Sequence, residues 1–195
     1  MTISTCTTGY IGSQLQKSNL VAANLENTEI FHADFSEANM LGVNLKKSGI
    51  LESNFTQAVL SYADMRECKL QRSFLHHTDF RETLLNNAQM QKTKAHNANF
   101  FLADLRGANL SGADLRGAWL IGANIEGTIW SDLESGPAIL PDGSPYQSEV
   151  DLVKFISINK EQTWMYLTIT TENLKKRNAM IDLAQKLQAE RAKQK

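Results

Sequence analysis

Proline is almost absent from this chain: three residues in 195, all between positions 137 and 145. Because proline cannot donate a backbone hydrogen bond and fixes its own φ, Gly136-Pro137 and Leu140-Pro141-Asp142-Gly143 read as turns. Cysteine is scarcer still. Cys6 and Cys68 lie far apart in sequence, so no disulfide framework is expected and both thiols are read as reduced, which points to the cytoplasm. No stretch of about 18 apolar residues exists, so no membrane-spanning helix is expected. Residues 1 to 12 lack the basic start and apolar core of a signal peptide. Charge is balanced too, with 20 Lys and Arg against 21 Asp and Glu for a net −1, and nothing demands a nucleic-acid or membrane partner. The signatures G-x-S-x-G, H-E-x-x-H, C-x-x-C and the Gly-rich phosphate loop are all missing. The chain therefore reads as no enzyme, with no cofactor expected.

What the chain has instead is a period of five. From Leu15 to Trp130 every fifth residue is large and apolar, with Ala95 the one exception, and no insertion or deletion interrupts the 24 units. Two residues before each of these stands a small or β-branched residue, as in the stretch ADLRGANLSGADLRGAWL from Ala103 to Leu120. Cys68 is one of these small residues. A five-residue period fits neither a helix, which repeats every 3.6 residues, nor a strand, which repeats every two. It fits a chain that turns a corner once per unit, pointing one large and one small side chain inward. On this reading Phe35, Leu45, Phe55, Phe80, Phe100, Leu105, Leu110 and Leu115 form the structural core.

The motif A-(D/N)-L-x-x, as in Ala33-Asp34-Phe35, Ala103-Asp104-Leu105 and Ala108-Asn109-Leu110, resembles the pentapeptide-repeat family over roughly residues 10 to 132. The resemblance implies an all-β solenoid, a right-handed quadrilateral β-helix with four pentapeptides to a coil. About six coils at the ~4.8 Å spacing of hydrogen-bonded strands would make a rod of roughly 29 Å. Such a solenoid touches only its neighbouring coils and needs covers at both ends. The aspartates at 34, 64, 79, 104 and 114 occupy the position that the family fills with Asp or Asn, and the glycines at 107, 112, 117 and 122 belong to corners.

Residues 1 to 12 are then an amino-terminal cap or partial coil, extended through Thr8 and Tyr10. Residues 13 to 132 form the β-helix, 133 to 147 a Pro/Gly turn that closes the coil, and 148 to 195 a carboxy-terminal extension. In that extension Ser148-Glu-Val-Asp151 resembles a capping box and opens a short helix. Gln162 to Thr170, QTWMYLTIT, is dense in β-branched and aromatic residues and reads as a strand. From Thr171 the chain reads as an amphipathic helix, with Leu174, Met180, Ile181, Leu183, Ala184 and Leu187 near one side and a basic end expected to fray. A homodimer through residues 146 to 192 is one outcome this segment allows.

With residues twenty apart written as columns, the flank Glu26, Lys46, Arg66, Asn86, Arg106, Glu126 is a solvated polar ladder. The face over Leu20, Met40, Leu60, Phe80, Phe100 and Leu120 is different. Its outward positions include Val21, Leu41, Val59, Tyr62, Phe101, Leu102, Trp119 and Ile121, and a contiguous apolar patch usually marks an interaction site. Two occupants stay open for it: the carboxy-terminal helix or strand folded back on it, or another protein or second copy docked there. Phe31 above Leu51 makes a smaller apolar pair on the adjoining face. His76 and His96 are stacked, with His77 beside them and Phe74 nearby. No carboxylate or thiolate shares their columns, so they are read as exposed polar positions and no metal is expected, since zinc takes three or four ligands. Ala95 either lets its neighbours repack or leaves a small cavity.

Two functional readings result. The first is a protein-protein interaction module, a scaffold whose rigid flat face binds an unidentified protein partner; rigidity lowers the entropic cost of association. The second is implied by the resemblance, because some family members mimic duplex DNA and bind DNA gyrase, protecting it from quinolones or peptide toxins. Mimicry of a polyanion calls for strong negative charge. Residues 1 to 135 hold 14 acidic and 11 basic side chains, a difference of −3. The central positions are mainly Leu, Ile and Met, with Phe in only four units. The interaction module is the first reading and gyrase mimicry the alternative.

Overall fold

The computed structural model describes residues 10 to 148 and, beyond them, residues 151, 175, 178, 179, 182 and 186. Strands β1 (Tyr10–Ile11), β2 (Glu29–Phe31) and β3 (Gly49–Leu51) pair in parallel, with Tyr10 opposite Ile30 and Ile30 opposite Ile50. Isolated parallel bridges carry the same twenty-residue offset onward, from Gln14 with Asp34 to Asn109 with Ile129. A positive φ recurs at every fifth residue from Gly12 to Asp132. Four corners thus separate each residue from its partner one coil on, and the chain winds as a right-handed, four-sided β-helix.

The unit centred on Phe35 shows why five residues are enough. Phe35 N donates to Asn54 O at 2.7 Å and Glu37 N to Thr56 O at 2.9 Å, both one coil ahead. Asn39 N donates to Ser18 O at 2.9 Å, one coil behind, and Ala38 N closes the turn on Phe35 O at 3.0 Å. That leaves Ser36 N, which points away from both ladders. Asp34 Oδ1 accepts it at 2.9 Å. A backbone N–H needs a partner, and the Asp or Asn before the central residue supplies one. Asn44, Asn54, Asp64, Asp79, Asp104 and Asp114 make the same bond to the amide two residues on.

The third residue of each turn takes the positive φ that a type II turn demands. Lys, Glu, Asn and His carry it along much of the rod, and glycine takes over at 107, 112, 117, 122 and 127.

Inside, the central side chains stack on those twenty positions away. The rings of Phe35 and Phe55 lie 4.9 Å apart, as do those of Phe80 and Phe100, so their separation is that of the coils. Leu45, Leu105, Leu110 and Leu115 are buried with them, and Ala95 sits fully buried in the column between Leu75 and Leu115. The small-residue column is buried as well from Thr28 to Thr128. Several of its hydroxyls are spent on the carbonyls of central residues: Thr78 Oγ1 donates to Phe55 O at 2.8 Å, Thr83 Oγ1 to Leu60 O at 2.8 Å and Ser73 Oγ to Ile50 O at 3.0 Å. A buried hydroxyl without such a partner would cost on the order of 1–3 kcal/mol.

Pairing does not stop where the five-residue pattern stops. Asp114 pairs with Ser135, an offset of twenty-one, and Trp119 with Ile139, back at twenty. The step from Ile129 to Ser135 is one residue long and the step from Ser135 to Ile139 one residue short, so the twenty-residue register is regained, and Leu140 is buried at the end of the core. The Pro141-Asp142-Gly143 turn comes next, with Gly143 N donating to Leu140 O at 2.9 Å. Ile139 then pairs antiparallel with Pro145, and Tyr146 N donates to Ala138 O at 3.1 Å. A Cβ on Gly136 would stand 2.1 Å from the Tyr146 ring, so only glycine lets the ring lie there. Ser148 N and Gln147 N both donate to Asp151 Oδ2 at 2.9 Å, the reach-back bond of a capping box. Lys175, Asn178, Ala179, Asp182 and Lys186 are helical and exposed. The strand expected over 162 to 170 lies outside the described residues.

Candidate interaction face

Three flanks of the rod carry locally paired charges among others. In the sequence Asp-x-Arg, the aspartate accepts both the backbone amide and the guanidinium two residues on. Arg66 donates from Nε to Asp64 Oδ1 at 2.8 Å and from its terminal nitrogen to Oδ2 at 2.6 Å. Arg106 does the same to Asp104 at 2.8 and 2.5 Å. At the corners, pairs run along the rod axis: Lys17 with Glu37, Lys47 with Glu67, and Arg72 with Glu52. These exposed pairs are each worth little.

The histidine flank is organised differently from the sequence expectation. His96 is half-buried, and its Nε2 stands 2.6 Å from Asp114 Oδ2, the geometry of an imidazole N–H donated to a carboxylate. Counting columns at twenty misses this partner because it lies at eighteen, a diagonal step between adjacent columns. The same step joins Gln16 to Asp34 and Ser61 to Asp79. The column shared by His76 and His96 holds no carboxylate, as expected, but the adjacent column supplies one in Asp114. The His76 ring lies 4.4 Å from that of His96 and 6.0 Å from Phe74, and its Nδ1 is buried with no hydrogen-bond partner among the described residues. No group of three or more His, Cys, Asp or Glu side chains among the described residues is arranged to hold a metal ion.

Burial, together with the neighbouring His96 and His77, lowers the His76 pKa from its ordinary 6.5. The unfolded chain then takes up the proton more readily than the folded one, so stability falls as pH drops below 6.5 toward the folded value. The thermal midpoint of His76→Asn should fall less than that of the natural protein between pH 7 and pH 5.5. Equal slopes would show that the ring titrates as it does in the unfolded chain.

The fourth flank is the apolar one. Val21, Leu41, Val59, Tyr62, Leu102 and Ile121 are half-buried, while Phe101 and Trp119 are 39% and 54% exposed. The structure divides them into two patches. Val21, Leu41, Val59 and Tyr62 lie toward the amino end; Phe101, Leu102, Trp119 and Ile121 lie toward the carboxy end. Between them runs the coil of Asp79, Arg81 and Glu82. Arg81 grips Asp79 from Nε at 2.8 Å and from its terminal nitrogen at 2.6 Å, and Ser61 Oγ donates to the same carboxylate at 2.8 Å. Glu82 is in no ion pair among the described residues. It hydrogen-bonds with Tyr62, and its Oε2 is buried with no hydrogen-bond partner among the described residues. Burial first, and then Glu82, raises the Tyr62 pKa.

The carboxy-end patch is larger than the sequence indicated, because the winding continues. Ile139 pairs beside Trp119, and Pro141 O accepts from Gly122 N at 2.8 Å. The Leu102 side chain lies across Gly122, 2.5 Å from where a Cβ would stand. That close approach joins Leu102 to Ile121 in one surface.

Among solved structures, the chain is similar to the fluoroquinolone resistance protein QnrB1, with 16% identity, a TM-score of 0.43 and 83% of this chain aligned to 96% of that one. It is also similar to a thylakoid-lumen pentapeptide repeat protein from Arabidopsis thaliana (19% identity, TM-score 0.33, 55% and 65% of the two chains). A third is Rfr23 from the cyanobacterium Cyanothece (24% identity, TM-score 0.27, 66% and 87%). No curated protein matches the chain. The family model described as pentapeptide repeats matches residues 11–47, 51–87, 63–100 and 98–129. With the five-residue turns, the Asx-bonded amides and the stacked core spanning the same residues, the chain belongs to the pentapeptide-repeat family.

Proposed function

We propose that the protein is a non-enzymatic interaction module that binds a protein partner through the apolar flank of its rod. The observation that carries this reading is the asymmetry of the four sides. On the other three, ion pairs such as Arg66 with Asp64 and Lys47 with Glu67 recur, whereas the fourth presents Val21, Leu41, Val59 and Tyr62 with Phe101, Leu102, Trp119 and Ile121. The backbone ladders behind that flank run from coil to coil, so the surface is held rigid and loses little entropy on association. The locally neutralised Asp-x-Arg pairs disfavour a polyanion mimic, which needs its carboxylates bare. The cytoplasm is the setting in which we expect it to act.

The test is affinity capture from the native lysate with the intact protein and with Val21→Glu and Leu41→Glu combined. The double variant should lose the partner while keeping its circular dichroism spectrum, since both side chains are already part-exposed. A partner retained by the double variant would place binding elsewhere. Recovery of gyrase subunits by both forms would favour mimicry instead.

A further inference from the structure

We propose that the groove lined by Leu51, Glu52, Gln71, Arg72, Gln91 and Lys92 binds a small hydroxyl-rich molecule that carries one anionic group, such as a sugar phosphate or a sugar acid. The groove holds about 410 Å³, within the range of roughly 300 to 1,000 Å³ that small-molecule sites occupy. Leu51 follows Leu41 by half of the twenty-residue coil, so the groove lies on the side of the rod opposite the apolar flank. Binding there and capture of a protein partner therefore succeed or fail separately.

Two columns build the groove. Leu51, Gln71 and Gln91 follow the central residues Ile50, Leu70 and Met90, and Glu52, Arg72 and Lys92 take the positive φ of the next position. The coil ladder fixes their register. Glu52 N donates to Gln71 O at 3.0 Å, Arg72 N to Gln91 O at 3.0 Å and Lys92 N to Ser111 O at 2.9 Å. Each rung of polar side chains thus stands one coil, about 4.8 Å, from the next.

The amide column shows which hydrogen-bonding groups are wanted. Gln71 Oε1 and Gln91 Oε1 are both buried with no hydrogen-bond partner among the described residues. Gln91 Nε2 already donates to Gln89 Oε1 at 2.8 Å, so what its carbonyl lacks is a donor. A shielded carbonyl without a donor costs stability. The terminal torsion of a glutamine is broad, so donors arriving in the groove draw the two oxygens toward them.

The second column shows which charge is wanted. Arg72 reaches Glu52 through one nitrogen at 3.4 Å, and Lys92 is in no ion pair among the described residues. The Lys92 stem lies across Gly112, 3.3 Å from where a Cβ would stand, where no side chain competes with it. Glu52 is shared between Arg72 and His32, at 3.4 and 3.7 Å, so the carboxylate of the groove is engaged and its surplus charge is positive. An amino group on the ligand would meet that surplus and be repelled. A hydroxyl donates to the two carbonyls without adding charge, and a phosphate or carboxylate satisfies the two cations.

Titration of the intact chain with glucose 6-phosphate, followed by proton–nitrogen NMR, tests this. Saturable shifts should appear at the Arg72 and Lys92 amides and in the side-chain amide signals of Gln71 and Gln91. Glucuronate should move the same signals, and the tighter of the two sugars names the preferred anion. Inorganic phosphate lacks the hydroxyls and glucose lacks the anion, so each should bind about tenfold more weakly or worse. Lys92→Ala should weaken glucose 6-phosphate about tenfold. Gln71→Leu combined with Gln91→Leu should reduce it to the affinity of inorganic phosphate while the thermal midpoint holds, since Leu51 fills the same position one coil earlier. Inorganic phosphate bound as tightly as glucose 6-phosphate would reveal a bare anion patch and overturn the proposal. The absence of saturable shifts with both sugars at millimolar concentration would overturn it as well, as would binding that neither the lysine nor the glutamine variant weakens.

Discussion

Leu45→Asp should yield no folded protein. Leu45 is fully buried in the column between Leu25 and Met65, so the substitution removes a packed aliphatic side chain and inserts a carboxyl with no donor in reach. Losing the leucine costs about 2–5 kcal/mol, and burying an unpartnered polar group adds several more by common transfer measures. A domain with only about 5–15 kcal/mol of total stability does not survive the sum. Leu45→Met, which keeps the volume, should cost less than about 1.5 kcal/mol. The same charge at Leu15 should be milder, because Leu15 is only partly buried at the amino end of the stack and a solenoid frays one coil at a time. Circular dichroism with thermal melts checks the order: Leu45→Asp unfolded, Leu15→Asp weakened, Leu45→Met close to the natural protein. A soluble Leu45→Asp with an unchanged midpoint would contradict the inward placement.

The five-residue pattern made the core legible because each corner repeats the same geometric demand. Phe35 and Phe55 differ by twenty in sequence and by one coil in space, so counting alone places one ring on the other. Function within each unit was less legible. The Asp or Asn before the central residue looked like a family habit, yet Asp34 is there because the Ser36 amide has no other acceptor. Thr78 and Ser73 looked merely small, and their hydroxyls turn out to satisfy carbonyls one coil down. Counting also failed where geometry departs from twenty. The diagonal from His96 to Asp114 spans eighteen, and the slip between Asp114 and Ser135 spans twenty-one. The continuation through Ile139 and Pro141 was hidden because Ser135 stands where a large apolar residue is expected and glycine and proline follow, although Leu140 returns twenty residues after Leu120. On the apolar flank the composition was readable, but its division by Asp79, Arg81 and Glu82 needed side-chain partners to interpret. Arg81 has one and Glu82 Oε2 has none among the described residues.

Asp114 is the acid on which the largest surface effect should fall. Its side chain is fully buried and it serves three donors: the Arg116 amide at 3.3 Å, the Arg116 guanidinium at 2.7 Å and His96 Nε2 at 2.6 Å. Asp114→Leu strands the amide and the half-buried imidazole, whereas the guanidinium, 63% exposed, can turn to water. A cost of about 2 kcal/mol is expected from the two stranded groups. Asp114→Asn should cost about half as much, since an amide oxygen still accepts the turn N–H, as Asn109 does for Ser111. Acid separates the variants further. Burial alone would raise the Asp114 pKa, but Arg116 and His96 outweigh it and hold the group at about 2, below its ordinary 3.8. A carboxylate depressed in the folded state contributes stability that is complete above the unfolded value and is lost as pH falls through the folded one. The natural protein should therefore lose midpoint between about pH 4 and pH 2 more steeply than Asp114→Asn, which has no proton to take up there. Parallel acid titrations of the two would mean that the carboxylate is not held by its neighbours, and the His96 diagonal would lose its energetic meaning.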